Sequence, residues 1–454
     1  ARNLTSAIRQ IRAKFRAYLQ FRQGLDTLNK SATDKEKIMA NIFIHIIIIF
    51  TLLITGCASK LPPPTSTLPA VSLSEKIHIV ENYLPVKGWF RWSEKALVDR
   101  MENYKVPGVS IAVINNDEIE WAKGYGTLEV GSNKSVTPDT LFQSASIGKS
   151  LTGTATMHFV EGGYLVLDEN VNNKLVSWKV PGNEYTKQEK VTLRRLLSHS
   201  AGMTVHGFRG YAEGERIPTL LQILNGEPPA NNEPIRVDKT PGKEFRYSGG
   251  GFQVIQQLFE DAKKEPFSVV MQEAVLRPCG MTSSAYEILL PEDRKDRAAV
   301  AHKVNGQIAT GKWHNLACFG AGGGLWTTPT DLARFGIEIS KTYKGKFNKI
   351  ISQQSAEMML TPQIGTGKFG TRVGRLLHGF CSQVKYGLGF ILCGEGQSFI
   401  FWHGGHNLPG YRSLLVVMPE KEQGIAIMIN GEKGAMLTAE IFYSFAQAYG
   451  WIPR

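Results

Sequence analysis

Strand signals lie at both ends of the globular part of this chain and helix signals fill the space between. That order restricts the fold to an α+β architecture in which both ends share one sheet. Near the start, residues 109–114, a polar turn at Asn115-Asn116-Asp117 and residues 118–122 read as a hairpin. Ser93 reads as the cap of a helix running to Tyr104, which Pro107-Gly108 stops. Residues 142–277 read as mainly helical with loops. Strands are predicted again over 386–392, 398–402, 412–418 and 424–429, followed by a last helix over 435–449. The expectation is an antiparallel sheet built from both termini, flanked by helices, with an inserted mainly helical region. No internal repeat is visible.

Upstream of this part the chain changes character. Residues 1–38 form a basic extension, with Arg9, Arg12 and Arg16 at near-helical spacing. They read either as a membrane-surface helix or as a stretch outside the native protein, since Met39 directly precedes the next signal. Residues 39–57 hold an apolar core about a dozen residues long, the length of a signal-peptide core and short of a membrane span. The core ends in Ile54-Thr55-Gly56-Cys57, which resembles a bacterial lipobox. The resemblance implies that Cys57 is lipidated and that the membrane is reached through this anchor. The alternative is a plain transmembrane anchor with an incidental cysteine. Ala58-Ser59 lacks the second-position Asp associated with inner-membrane retention in such lipoproteins, so the expected location is the outer membrane, facing the periplasm. Residues 58–80, with Pro62-Pro63-Pro64 and many Ser and Thr, read as a tether. The globular domain is expected over residues 81–454.

The net charge of +12 raises nucleic-acid binding as a possibility. Nine Lys and Arg against three Asp and Glu fall before Met39, so half of the excess belongs to the extension. The rest is spread without a basic run interleaved with aromatics, which argues against a nucleic-acid partner. The five cysteines show no Cys-x-x-Cys spacing and no accompanying His cluster, so no metal is expected. Cys279, Cys318, Cys381 and Cys393 could pair in three ways, but free buried thiols are the favoured reading. Cys381 and Cys393 flank what reads as one strand, which would hold them too far apart to bond.

Ser146-Ile147-Gly148-Lys149 carries the chemistry. Ser and Lys three apart on a helix share one face. A serine hydroxyl needs a base to become a nucleophile, and a lysine serves once burial or nearby positive charge lowers its pKa. Ile147, Leu151, Ala155 and Phe159 recur every four residues, so the segment reads as a buried helix, ended by Gly162-Gly163. Ser-x-x-Lys alone is weak, and Ser382-Gln383-Val384-Lys385 is a decoy that precedes a strand. Gly148-Lys149-Ser150 imitates the end of a phosphate-binding loop, but position 143 is Gln where that motif needs Gly. Gly320-Ala321-Gly322-Gly323-Gly324 lacks the same motif's Lys and reads as a tight turn.

Five ordered blocks carry a family resemblance from about residue 81 to the end. Residues 140–150 resemble the active-site segment of the serine β-lactamase and penicillin-binding-protein superfamily, especially class C enzymes and their esterase and D-aminopeptidase relatives. Leu196-Leu197-Ser198-His199-Ser200-Ala201-Gly202, the block from Pro241 through Tyr247 to Gly249, Gly322-Gly323-Gly324-Leu325-Trp326 with Tyr386-Gly387-Leu388-Gly389, and Trp402-His403-Gly404-Gly405-His406 follow in the family's order.

The resemblance implies a serine hydrolase forming an acyl-enzyme on Ser146, with no cofactor, acting on a small ester, amide or peptide. Lys149 would share a proton network with Ser146, and Tyr247 would act as base and then acid. His403, Gly405 and His406 would bind substrate, with the N–H groups of Ser146 and His406 as oxyanion hole. His199 reads as structural. Two departures weaken efficient β-lactam hydrolysis: Gly249 replaces the Asn of the family's Tyr-x-Asn element, and His403 replaces a Lys. The rival readings are a D-alanyl carboxypeptidase or β-lactamase on cell-wall-like substrates, and a catalytically weak ligand-sensing protein.

Overall fold

The computed structural model describes residues 71–85, 95–212, 214–287, 290–310, 320–368, 377, 381 and 383–452. The basic extension, the signal segment with Cys57, and residues 58–70 of the tether lie outside these, as do Ser93, Cys318 and Ser382. Residues 73–80, expected to belong to the tether, are helical. Helix α1 (Leu73–Asn82) starts at the Ser72 cap, whose hydroxyl accepts the Glu75 N–H, and buries Ile79 and Val80. The compact unit accordingly begins at Val71.

Helix α2 (Leu97–Tyr104) leads into β1 (Gly108–Asn115) and β2 (Glu118–Gly126). The hairpin turn is at the expected place, with Asn116 and Asp117 at φ 56° and 53°, as a tight two-residue connection requires. After β3 (Phe142–Gln143) a 3₁₀ turn at Ala145–Ile147 runs directly into α3 (Gly148–Glu161). The helical region contributes α4 (Leu193–Leu197) and α5 (Gly249–Lys263). Gly320–Gly323, read as a tight turn, forms α6, one short helical turn. β4 (Trp326–Thr327) pairs with β3, and α7 (Pro329–Tyr343) follows, capped by Thr328. The chain closes with β5 (Ile364–Gly365), β6 (Lys385–Tyr386), β7 (Ile391–Cys393), β8 (Ile400–Asn407), β9 (Tyr411–Met418), β10 (Gln423–Ile429) and α8 (Gly434–Ala448).

The large sheet runs β2-β1-β10-β9-β8-β7-β6-β5, and its neighbouring strands pair antiparallel. β10 locks against β1, so the two ends of the globular part share one sheet, as the strand signals required. Alternation along β10 assigns the faces: Ile425, Ile427 and Ile429 join one core with α8, and Ala426 and Met428 join the other with α7 and the helical region. Burial on both faces explains why these strands read as unbroken apolar runs.

Cys381 and Cys393 form a disulfide, with their Cα atoms 5.4 Å apart. This corrects the expectation of free thiols. The stretch 386–392 is not one strand: Gly389, at φ 87°, sits in a turn between β6 and β7. Lys385 pairs with Leu392, so the chain folds back and brings the two cysteines side by side. Cys279 is a free, buried thiol.

Candidate active site

Ser146 sits on a tight turn between β3 and α3. Ala145 adopts φ 50°, a left-handed conformation unusual for a residue with a side chain. This aims Ser146 outward, half-buried, while Ala145 and Ile147 on either side are fully buried. The next turn of α3 carries Lys149, whose Nζ lies 3.1 Å from Ser146 Oγ. The expected apolar stripe Ile147, Leu151, Ala155 and Phe159 is buried in the core. The hydroxyls of Thr152, Thr154 and Thr156 donate to carbonyls four residues back, which makes their burial tolerable. Ser150 donates to Gly389 O at 2.7 Å, so its hydroxyl is a packing group and not the end of a phosphate loop.

Lys149 is buried, and desolvation lowers its pKa from 10.5 to about 7. Its Nζ also donates to Gly322 O at 2.5 Å and lies over the rings of Tyr247 and Phe252, 5.1 and 5.5 Å from their centroids. The Gly322 carbonyl is a site element the sequence did not single out. It reaches Lys149 because α6 packs directly on the nucleophile turn: a Cβ on Gly323 would stand 3.1 Å from the Ala145 carbonyl carbon. The glycine run thus permits close approach of two backbones.

Tyr247 precedes α5, and its phenol is hydrogen-bonded to Ser146 while burial raises its pKa. His199 grips the backbone on both sides of it. Arg246 N–H donates to His199 O at 2.7 Å, and Ser248 N–H donates to His199 Nδ1 at 3.1 Å. The imidazole also lies against the Tyr247 ring, with centroids 4.1 Å apart. His199 is therefore structural, as expected, and what it holds in place is Tyr247. Gly249 opens α5. A side chain there would meet the Phe208 ring at 3.1 Å and His206 O at 3.2 Å, so the loop around Phe208 fills the place of the missing Asn.

β8 forms the opposite wall. Gly405 lies so close to the nucleophile turn that a Cβ would stand 2.0 Å from Ser413 Oγ and 2.2 Å from Ser144 O. His403 lines the cavity, but both its nitrogens are engaged within the protein. A carbonyl only accepts, so Nδ1 carries the proton given to Gly404 O at 2.8 Å, and Nε2 accepts from Tyr386 O–H at 2.9 Å. Desolvation, with Lys149 nearby, lowers its pKa to about 3, so the ring is neutral. His403 was expected to bind substrate, but its ring has no nitrogen left to offer: Tyr386, from the Tyr386-Gly387-Leu388-Gly389 block, holds the acceptor nitrogen. His406 pairs with Arg412 across the sheet, and its side chain lies on the face opposite His403. Among the described residues no cluster of three or more His, Cys, Asp or Glu is placed to hold a metal ion.

These groups open on one cavity of about 810 Å³, whose lining includes Ser146, Lys149, Tyr247, His403, Gly405 and His406. That volume lies within the range of roughly 300–1,000 Å³ typical of small-molecule sites. A sheet made from both termini, an inserted helical region, and a serine on a helix-leading turn beside a buried lysine and a tyrosine define the β-lactamase and penicillin-binding-protein-like class. The chain belongs to the beta-lactamase family, whose model matches residues 94–448.

Its similarities to individual proteins are distant. Protein flp of Staphylococcus aureus strain N315 is 19% identical over 340 residues, 74% of this chain and 62% of that protein. The chain thus spans about three fifths of that relative's length. Unguisins hydrolase ungD' of Aspergillus campestris is 27% identical over 194 residues, 40% of this chain and 34% of that protein. Among solved structures, the octameric penicillin-binding protein homologue from Pyrococcus abyssi superposes with a TM-score of 0.62 at 25% identity, covering 78% of this chain and 76% of that one. The D-amino acid amidase from Ochrobactrum anthropi SV3 gives 0.59 at 20% identity, with 77% and 96% covered; at that identity the likeness concerns the fold.

Proposed function

We propose that this protein is a serine hydrolase that cleaves an ester or amide through an acyl-enzyme on Ser146. The observation that carries the reading is the contact of Ser146 Oγ with a lysine amine that burial holds near neutrality. Lys149 in its neutral form takes the Ser146 proton as Oγ bonds to the substrate carbonyl carbon. Tyr247, kept protonated by its raised pKa, gives its proton to the leaving alcohol or amine as the carbon–heteroatom bond breaks. The Lys149 ammonium then restores the phenol. This reverses the order expected from resemblance, in which Tyr247 was the first base; the opposite pKa shifts of the two buried groups are the reason. Water attacking the acyl-enzyme repeats the sequence with the roles returned.

The filled space at Gly249 and the neutral, engaged His403 favour a neutral ester or amide over a β-lactam or a free C-terminal carboxylate. The names of the amidase and hydrolase relatives agree with this broad class. Lipid anchoring at Cys57 in a bacterial envelope, facing the periplasm, belongs to the same proposal and rests on the sequence of residues 42–57 alone. A fluorophosphonate probe, with its adduct mapped by peptide mass spectrometry, tests the reading. The adduct is expected on the peptide containing Ser146. An unlabelled protein would favour the ligand-sensing alternative, and an adduct on another serine would displace Ser146.

A further inference from the structure

Past Trp402, β8 walls the cavity along a stretch that the sheet holds from one side. β9 stays paired with β8 as far as Asn407, whereas β7 pairs with it only through Ile400, Phe401 and Trp402. Among the described residues no strand lies along the outer edge of β8 beyond that point. Gly404 and Gly405 follow one another there, and adjacent glycines place few limits on the peptide between them. The points on either side are fixed. Gly405 is pressed against the nucleophile turn, whose Ser144 O accepts a 2.5 Å hydrogen bond from Ser413 Oγ. Asn407 Nδ2 donates to Gln143 Oε1 at 2.7 Å, tying the end of β8 to β3. Neither is a hydrogen bond of the Gly404–Gly405 peptide.

His403 supplies one. Its Nδ1–H donates to Gly404 O at 2.8 Å, while its Nε2 accepts from Tyr386 O–H at 2.9 Å. The His403 residue is only 2% exposed. Tyr386 is fully buried against the His199 and Phe245 rings, with centroids 4.8 and 5.5 Å away. The imidazole is thus a strut between a fixed phenol on β6 and the backbone of β8. In an extended strand, alternate residues turn their carbonyl and N–H groups to the same edge. The edge that His403 grips at Gly404 O is therefore the edge on which His406 presents its N–H. That N–H, with the one of Ser146, is the donor expected to meet the oxyanion. Such a donor stabilises developing charge most when it is already in place as the charge forms.

We propose that His403, held by Tyr386, is a positioning residue: it gives no hydrogen bond to substrate and instead fixes the open edge of β8 so that His406 N–H meets the oxyanion. The proposal rests on the hydrolase reading and adds what keeps its oxyanion donor in place. Two replacements separate the two ring nitrogens, since Asn puts an amide nitrogen where Nδ1 stands and Gln puts one where Nε2 stands. His403→Asn should keep the grip on Gly404 O and lose less than about tenfold in kcat. His403→Gln should keep only the Tyr386 side and lose about a hundredfold, the scale of a lost oxyanion donor. KM for a neutral ester should stay within about twofold in both, at a temperature where circular dichroism shows both folded. The reverse order, equal losses, or losses through KM would overturn the positioning role. Because turnover is a separate claim, nitrogen-15 NMR of the wild-type imidazoles reads the strut directly. The His403 signals, assigned by their absence from His403→Asn, should show the proton on Nδ1 at neutral pH. A proton on Nε2, or exchange between the two nitrogens, would also overturn it. Wild-type protein that hydrolyses no ester while His403 carries its proton on Nδ1 would count against the hydrolase reading and leave the strut standing.

Discussion

Ser146→Ala is expected to lower ester hydrolysis by at least about four powers of ten and to abolish fluorophosphonate labelling, with the fold preserved. Removing a nucleophile leaves only binding and oxyanion stabilisation, and single deletions from a concerted set cost nearly as much as deleting the whole set. The fold should survive because Ser146 is half-buried and what its hydroxyl loses is limited to hydrogen bonds with the side chains of Lys149 and Tyr247. Lys149 would lose one hydrogen-bond partner and keep Gly322 O. A stability loss of about 0.5–2 kcal/mol by denaturant titration is the expected scale. Ser382→Ala, in the second Ser-x-x-Lys sequence, should leave rate and labelling unchanged. Loss of labelling in that variant instead would move the nucleophile.

Lys149→Ala and Tyr247→Phe should each reduce kcat/KM by about two to four powers of ten, the scale of a lost acid–base group. The double variant should fall far short of the product of the two losses, because both residues move the same proton to and from Ser146. The singles should differ in their dependence on the leaving group. Tyr247→Phe removes the proton donor, so it should hurt alkyl esters, whose alkoxide leaves poorly, more than p-nitrophenyl esters, whose phenolate leaves without help. Lys149→Ala should slow both alike. Strictly multiplicative losses, or equal sensitivity to the leaving group, would contradict the division of roles.

Much of this fold was legible because its signals are local and periodic. The runs 109–114 and 118–122 around the polar turn Asn115-Asn116-Asp117 placed the first hairpin, and apolar residues at every fourth position placed α3 with Ser146 at its head. Ser146, Lys149 and Tyr247 converge as their motifs implied. What escaped depends on contacts between distant segments. The helical turn at Gly320–Gly323 exists because it must press against Ala145, and its carbonyl holds Lys149 from 173 residues away. The β6–β7 hairpin, and with it the Cys381–Cys393 disulfide, was hidden because apolar residues surround its turn on both sides, so the stretch imitates one strand. Tyr386 stood within the Tyr386-Gly387-Leu388-Gly389 block, but no spacing rule connects it to His403. The role of His403 was misread for the same reason: its residue type advertises a hydrogen bond, and only the fold shows that both nitrogens are already used. α1 was missed since its moderate amphipathicity follows directly on a proline-rich stretch.

The central claim is that burial makes Lys149 the base for Ser146, and the pH dependence of the fluorophosphonate labelling rate tests it most directly. Labelling needs only formation of the Ser146 bond, so deacylation and product release do not enter. The base must be unprotonated, and its pKa is lowered from 10.5 to about 7. The rate should therefore be low in acid, rise through an inflection near that value and level off above it. His206 also lines the cavity, and an ordinary histidine titrates near 6.5, so the His206→Ala variant is the control and should keep the inflection. In Lys149→Ala the inflection should disappear along with most of the rate. A rate that climbs only toward about 10, where an unburied lysine titrates, or an inflection near 7 that survives in Lys149→Ala, would contradict the account.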